Sequence, residues 1–103
     1  PQTDTRAQTA WLAFPLCIRA GAGFSREEIT AYLERRNIQT RPIFSGNILK
    51  QPAFRSVQAK TRTDGYPVAD AIMRNGFLIG AHHGLRNAEL RYLMDVFSAF
   101  LRG

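Results

Sequence analysis

The densest run of chemistry-bearing side chains is Thr40-Arg41-Pro42-Ile43-Phe44-Ser45-Gly46-Asn47-Ile48-Leu49-Lys50-Gln51-Pro52-Ala53-Phe54. Arg41 brings a guanidinium that can grip a phosphate through two parallel hydrogen bonds. Asn47 and Gln51 bring amides suited to sugar hydroxyls. Lys50 adds a second positive charge, and Phe44 and Phe54 supply rings able to flank a ligand ring. Together these types describe a site for a phosphorylated, hydroxyl-rich molecule. They describe equally well an ordinary Ser-Gly-Asn turn with capping residues, and the pattern alone does not choose.

Outside this run the chain offers little with which to make or break bonds. His82 and His83 are adjacent, so on a continuing strand they would point to opposite faces, and no cysteine spacing or second histidine group supports a metal. A histidine touching a substrate or a domain boundary and a purely structural one stand level, and His82 is kept as a substrate-side candidate. Cys17 is the only cysteine, which excludes an internal disulfide and fits a reducing compartment. No activating neighbour for its thiol is evident. Lys50 and Lys60 are the only lysines. A Schiff base on either would need a desolvated pocket, and Lys60 lies in a polar stretch. The carboxylates Glu27, Glu28, Glu34, Glu89 and Asp95 read as caps and solvated helix faces. No catalytic residue and no metal site are expected within this chain.

The elements that must position these residues follow from local signals. Trp11-Leu12-Ala13-Phe14-Pro15-Leu16-Cys17-Ile18 is rich in strand formers, and Pro15 assigns the strand to an edge or a bulge because it cannot donate a ladder bond. Ser25-Arg26-Glu27-Glu28 is a capping box opening a helix that carries Ile29, Tyr32 and Leu33 and stops near Asn37. Ile38–Phe44 reads as a second strand interrupted by Pro42. Pro52 opens a short helix to about Val57, and residues 55–65 read as a polar loop. Pro67 opens another helix, with Val68, Ala71 and Ile72 inward and Gly76 after its end. Phe77-Leu78-Ile79-Gly80 is a third strand. Asn87 caps a last helix whose stripe is Leu90, Leu93, Met94, Phe97, Phe100 and Leu101. The order β-α-β, loop, α-β-α predicts a two-layer α+β domain, its short, mostly antiparallel sheet of about three strands covered by helices. The consecutive apolar residues of Trp11–Phe14 and Phe77–Ile79 put hydrophobic side chains on both sheet faces, where a small two-layer domain should leave one polar.

With 103 residues and a 45% hydrophobic composition, one folded domain is expected, burying roughly two thirds of its unfolded surface. The net charge of +6 comes from 14 basic residues scattered along the chain, the only adjacent pair being Arg35 and Arg36. Scatter of this kind favours a solvated surface with one or two arginines recruited for an anion. No signal peptide or membrane span is legible, so a cytoplasmic, membrane-free protein is expected.

The stretch TRPIFSGNILKQPAF, preceded by AWLAFPL and FSREEITAYLERRNIQ and followed by NGFLIGAHHGLRNAELRYLMDVFSAFL, resembles the C-terminal region of the DegT/DnrJ/EryC/StrS family of sugar aminotransferases and dehydratases. The Gly-Asn-Ile-Leu-Lys-Gln-Pro run is most similar to the nucleotide-sugar 3-dehydratase branch, the CDP-4-keto-6-deoxyglucose type. The resemblance implies the small domain of a fold-type-I enzyme, with residues 1–9 a loose lead-in from a missing large domain and 10–103 the small domain itself. It implies pyridoxal or pyridoxamine phosphate held by that large domain, an iron–sulfur cluster there in some members, a nucleotide-diphosphate sugar as substrate and a homodimer at full length. It places Arg41, Phe44, Asn47, Lys50, Gln51, Leu12 and His82 on the substrate side. Arg41 and Asn47 would contact the sugar or its diphosphate, and Phe44 would shape the pocket. Leu12 stands where related aminotransferases have a histidine, which favours the dehydratase branch. His82-His83 depart from the Tyr-Pro of the dehydratases.

Two alternatives remain open from sequence. One is a nucleotide-sugar aminotransferase of the same family. The other is a stand-alone basic module for nucleic acid, opposed by the scattered arginines and by the absence of the aromatic strand motif of common RNA-binding sheets. Nucleic acid is therefore not an expected partner. An inert interaction domain is a third, weaker reading.

Overall fold

A computed structural model describes residues 5, 6, 8 and 10–103. The lead-in expected over residues 1–9 falls largely outside the described residues. Six elements follow in the expected order: β1 Ala13–Cys17, α1 Arg26–Glu34, β2 Thr40–Pro42, α2 Pro67–Asn75, β3 Gly76–Gly80 and α3 Asn87–Leu101. Between β2 and α2 lie two single 3₁₀ turns, Ile48–Lys50 and Pro52–Phe54. The short helix expected from Pro52 to about Val57 is thus a tighter turn, preceded by one the sequence did not signal.

The sheet is antiparallel throughout, in the order β1-β3-β2. β3 contains no proline and can bond on both sides. Pro15 and Pro42 sit on the two flanking strands, where a missing N–H is tolerated and blunts an open edge. Strand alternation puts Phe14, Leu16, Phe77 and Ile79 on one face. There Leu16, Phe77 and Ile79 meet Ile29 and Leu33 of α1 and Val96 of α3, with Ile38 completing the core, while Phe14 is 39% exposed. Phe77 and Leu33 are almost wholly buried.

α1 begins as its capping box requires: the Glu28 N–H donates to Ser25 Oγ at 3.2 Å and the Ser25 N–H to Glu28 Oε2 at 2.6 Å. It closes at Asn37, whose left-handed backbone (φ 57°) lets the Ile38 N–H donate back to the Leu33 carbonyl at 3.1 Å. α3 is joined to it by aromatic contacts. Phe100 lies edge-on to Phe24 and tilted against Tyr32, both at 4.9 Å between ring centres. The Tyr92 hydroxyl donates to the Arg36 carbonyl at 3.0 Å.

Several expectations need correction: Val68, expected inward on α2, is 71% exposed, and β2 is confined to Thr40–Pro42 rather than running from Ile38 to Phe44. Trp11 and Leu12 precede β1 rather than forming part of it, so the face away from α1 and α3 is made by Ala13, Pro15, Cys17, Leu78 and the exposed Arg41. α3 is capped by Arg86, not Asn87, because Glu89 lies three residues after Arg86 and accepts its backbone N–H at 3.0 Å. On α3 the buried side chain is Val96, with Leu93, Phe97 and Phe100 beside it, whereas Leu90, Met94 and Leu101 of the expected stripe are exposed.

Candidate functional site

The loop after β2 is fixed to α2 at three points. First, Gly46 (φ 61°) approaches so closely that a Cβ there would lie 2.5 Å from Met73 Cβ and 2.8 Å from Met73 Cα. Second, Asn47 is buried, at 6% exposure. Its Oδ1 accepts from the Leu49 N–H at 3.1 Å, capping the first 3₁₀ turn, and its Nδ2 donates to Asp70 Oδ1 at 2.7 Å. Third, the Lys50 ammonium pairs with Asp70 Oδ2 at 2.8 Å. Gln51 then closes the loop on itself, donating from Nε2 to the Ser45 carbonyl at 2.8 Å. The Lys50 ammonium, and after it the Asn47 amide, hold the Asp70 carboxyl below its ordinary range.

Phe44 rides on this anchored base. Its N–H donates to the Pro42 carbonyl at 2.9 Å and the Gly46 N–H to the Ile43 carbonyl at 3.0 Å. Its φ is 41°, a left-handed value unusual for a bulky residue, and its side chain is 89% exposed. Arg41 projects three residues earlier on the sheet face shared with Pro15 and Leu78. β2 itself is tied to α1 through Glu34, whose Oε1 accepts from the Thr40 N–H at 2.5 Å and the Thr40 hydroxyl at 2.9 Å. The backbone bond, then the hydroxyl, draws the Glu34 carboxyl below its ordinary range.

The seven candidate residues do not gather at one point. Pro42 pairs with Phe77, so Phe44, Asn47, Lys50 and Gln51 lie beyond the Gly76 end of β3. Ala13 pairs with Gly80, so Leu12 and His82 lie beyond the opposite end, about 13 Å away along the strand at its usual rise. Leu12 is 93% exposed. His82 accepts the Gly84 N–H on Nδ1 at 3.1 Å, which leaves Nε2 as the ring's donor. It borders an apolar groove of about 430 Å³ with Phe14, Ile79, Leu90 and Met94.

Two residues at the loop end escaped the sequence reading. Asp70 is the common acceptor for Asn47 and Lys50, and its only local signal is an acidic position in the first turn of α2. Arg26 donates from Nη1 to the Met73 carbonyl at 2.7 Å and pairs with Glu27 at 3.1 Å. It thereby joins the start of α1 to the end of α2 and, with Lys50, Asp70 and Arg74, borders a polar cleft of about 540 Å³. The loop end thus presents an outward aromatic ring on a loop bonded to α2, with Lys50 paired to Asp70 and Arg26 to Glu27 beside it.

Comparison with known proteins gives a consistent picture. The sequence profile of the DegT/DnrJ/EryC1/StrS aminotransferase family matches residues 1–98. The dTDP-4-dehydro-2,6-dideoxy-D-glucose 3-dehydratase of Saccharopolyspora spinosa is 31% identical over 98% of this chain and 22% of its own length. The lipopolysaccharide biosynthesis protein RfbH of Salmonella typhimurium is 33% identical over 97% of this chain and 23% of its own. A solved structure of the Escherichia coli GDP-4-keto-6-deoxy-D-mannose 3-dehydratase with bound hydrated PLP superposes with a TM-score of 0.74 at 28% identity, covering 84% of this chain and 22% of that one. A mutant of the GDP-4-keto-6-deoxymannose 3-dehydratase carries bound GDP-perosamine. This chain spans under a quarter of the length of each of these relatives. It belongs to the DegT/DnrJ/EryC1/StrS aminotransferase family.

Proposed function

We propose that this chain is the C-terminal small domain of a vitamin-B6-dependent nucleotide-sugar 3-dehydratase, where it holds the sugar nucleotide and excludes water. The observation that carries the reading is extent: two relatives, one named a 3-dehydratase and the other a lipopolysaccharide biosynthesis protein, match nearly the whole chain with less than a quarter of themselves. The apolar side chains left exposed support it. Trp11, Leu12, Phe14 and Phe44 are among the large apolar side chains left in solvent.

The residues of this chain do not fit the B6 cofactor itself. A Schiff-base lysine needs a desolvated pocket, whereas the Lys50 side chain is 53% exposed and committed to Asp70, and Lys60 is exposed. In the proposal the cofactor belongs to the remainder of the protein, which works as a cytoplasmic homodimer, and no bond-making step falls to this domain.

Its own work is positioning. Arg41 faces the diphosphate and Phe44 a ring of the substrate, while Lys50, paired with Asp70, helps to hold the loop. Asn47 is assigned to holding the loop, because its amide is buried and bonded at both ends, and Gln51 supports the same turn. Leu12 and His82, at the other end of the sheet, face the cofactor domain and the site's outer margin.

The test is the full-length gene product. A bound B6 chromophore in its near-ultraviolet and visible spectrum is expected, and the same spectrum reads out any iron–sulfur cluster. Incubation with dTDP-, GDP- and CDP-linked 4-keto-6-deoxyhexoses, with glutamate or a two-electron reductant supplied, should exchange one ring C–OH for C–H and release the oxygen as water, giving a product lighter by one oxygen atom. Replacement of the keto oxygen by an amine, with glutamate as donor, would instead make it an aminotransferase. A longer protein that binds no B6 would end both readings.

A further inference from the structure

The link between β3 and α3 is closed by a side chain whose bonding depends on its charge. His82 Nδ1 accepts the Gly84 N–H at 3.1 Å, and the Leu85 N–H donates to the His82 carbonyl at 3.2 Å. One residue thus fastens the turn twice, through its backbone and through its ring, in the manner of Asn and Asp side chains that bond the backbone two residues on. Gly84 serves this contact. Its backbone is not left-handed, so glycine is not there for conformational freedom. What it supplies is room: a Cβ at this position would lie 3.0 Å from His82 Nδ1 and 3.2 Å from Cε1.

An imidazole accepts a hydrogen bond only while it is neutral, and with protons on both nitrogens it has two donors and no acceptor. Imidazole is also the side chain that ordinarily changes charge between pH 5 and 8. After protonation the Nδ1–H and the Gly84 N–H would face each other as two donors at bonding distance, so the ring must turn away. The elements packed beside it bring no compensating charge. Toward the groove that His82 borders, β1 contributes Phe14 and α3 contributes Leu90, Leu93 and Met94, and no other described residue lining that groove is titratable. Arg91 and Asp95 of α3 are exposed and lie outside its lining. On the same segment His83 is exposed, while Arg86 and Glu89 are paired with each other. Leu85, held by the turn, forms part of the groove's border, and Arg86 after it caps α3. We propose that His82 is a proton-operated latch: neutral, it closes the 82–85 turn and with it the rim of the apolar groove, and protonated, it releases both. The latch lies at the end of the sheet away from the loop after β2, and it operates whether or not the function proposed above is correct.

The 103-residue chain, isotope-labelled in its glycines, histidine rings and leucine and methionine methyl groups, is titrated by NMR from pH 8 to pH 5, the range in which imidazole changes charge. Water replaces an exposed bond at little cost in global stability, so the readout is local. The nuclear Overhauser contact between the His82 ring and the Gly84 α-protons is expected at pH 8 and is lost at pH 5. The Gly84 amide and the Leu85 methyl signals should move with the same midpoint as the His82 ring. His82→Asn keeps an acceptor two residues before Gly84 that does not titrate, so the same signals should hold still across the range. His83→Asn should leave the parent's response intact. A ring contact that survives at pH 5 overturns the inference. So do Gly84 and Leu85 signals that stay fixed while His82 titrates, that follow His83 instead, or that shift undiminished in His82→Asn.

Discussion

Replacing Asn47 with alanine removes both hydrogen bonds that hold the loop to its own turn and to α2. The cap on the Leu49 N–H, at 3.1 Å, is of a kind whose loss costs about 1 kcal/mol. The bond from the amide Nδ2 to the ionised Asp70, at 2.7 Å, belongs to the charge-assisted class, in which a buried amide contributes about 1.5–3 kcal/mol. The low end applies because Asp70 retains Lys50 as a partner. The sum is about 2–3 kcal/mol. At an unfolding entropy of about 2.1 cal/mol/K per residue, a chain of this length loses about 9–14 °C in Tm. Asn47→Ser separates the two bonds: its shorter oxygen still reaches the Leu49 N–H but not Asp70, so roughly half or more of the loss should remain. Thermal unfolding followed by far-ultraviolet circular dichroism at neutral pH reads both. An Asn47→Ala protein that melts within about 3 °C of the parent would show that the loop is held by something other than this amide. The assignment of Asn47 to positioning would then be withdrawn in favour of ligand contact.

Other predictions rest on separate parts of the molecule. Asp70, Glu34 and Glu89 all have carboxyl groups drawn below their ordinary values of 3.8, 4.5 and 4.5, chiefly by Lys50, the Thr40 N–H and Arg86 respectively. The ionised form is the bonded form in each. Their stabilisation is therefore complete above the unfolded values and is lost as pH falls through the lower folded ones. Urea midpoints should be flat down to about pH 5 and decline below about pH 4.5, and an unchanged midpoint at pH 3 would contradict these contacts. Leu33→Ala, at a fully buried position, should cost about 2–5 kcal/mol, whereas Met94→Ala, at 63% exposure, should stay within about 0.5 kcal/mol. Comparable losses from the two in chemical denaturation would mean that α3 is rotated from the orientation described. Gly46→Ala combines a strained φ with a Cβ inside the Met73 backbone contact, so the loop must move. Its amide signals and those of Met73 should shift together by NMR, and a spectrum matching the parent would refute the close approach.

What was legible in the sequence was local. Ser25 and Glu28 cap each other across one turn, so their spacing is the whole signal. Pro15 is excluded from a central strand by its own chemistry, and it does flank β3. Where the reading slipped, a neighbouring signal competed with the one chosen. Asn87 is a good cap by type, but Glu89 sits three residues after Arg86, and that reach-back fixes the start of α3. Trp11 and Leu12 have strand propensity, but β1 pairs only as far as Ala13 opposite Gly80. The Asn47–Asp70 bond joins positions 23 residues apart, and no pattern within either segment records it.

The difference matters most for the candidate site, because the sequence lists residue types without saying which ones are still free to bind. Asn47, Gln51 and Phe44 looked equivalent as ligand contacts in one run of letters. The fold consumes the first two, one buried against Asp70 and the other bonded to the Ser45 carbonyl. Phe44 is treated the opposite way, held in left-handed backbone with its ring in solvent. A side chain that the fold has satisfied is accounted for by the fold. One that the fold leaves in solvent on left-handed backbone is the one to test for a ligand.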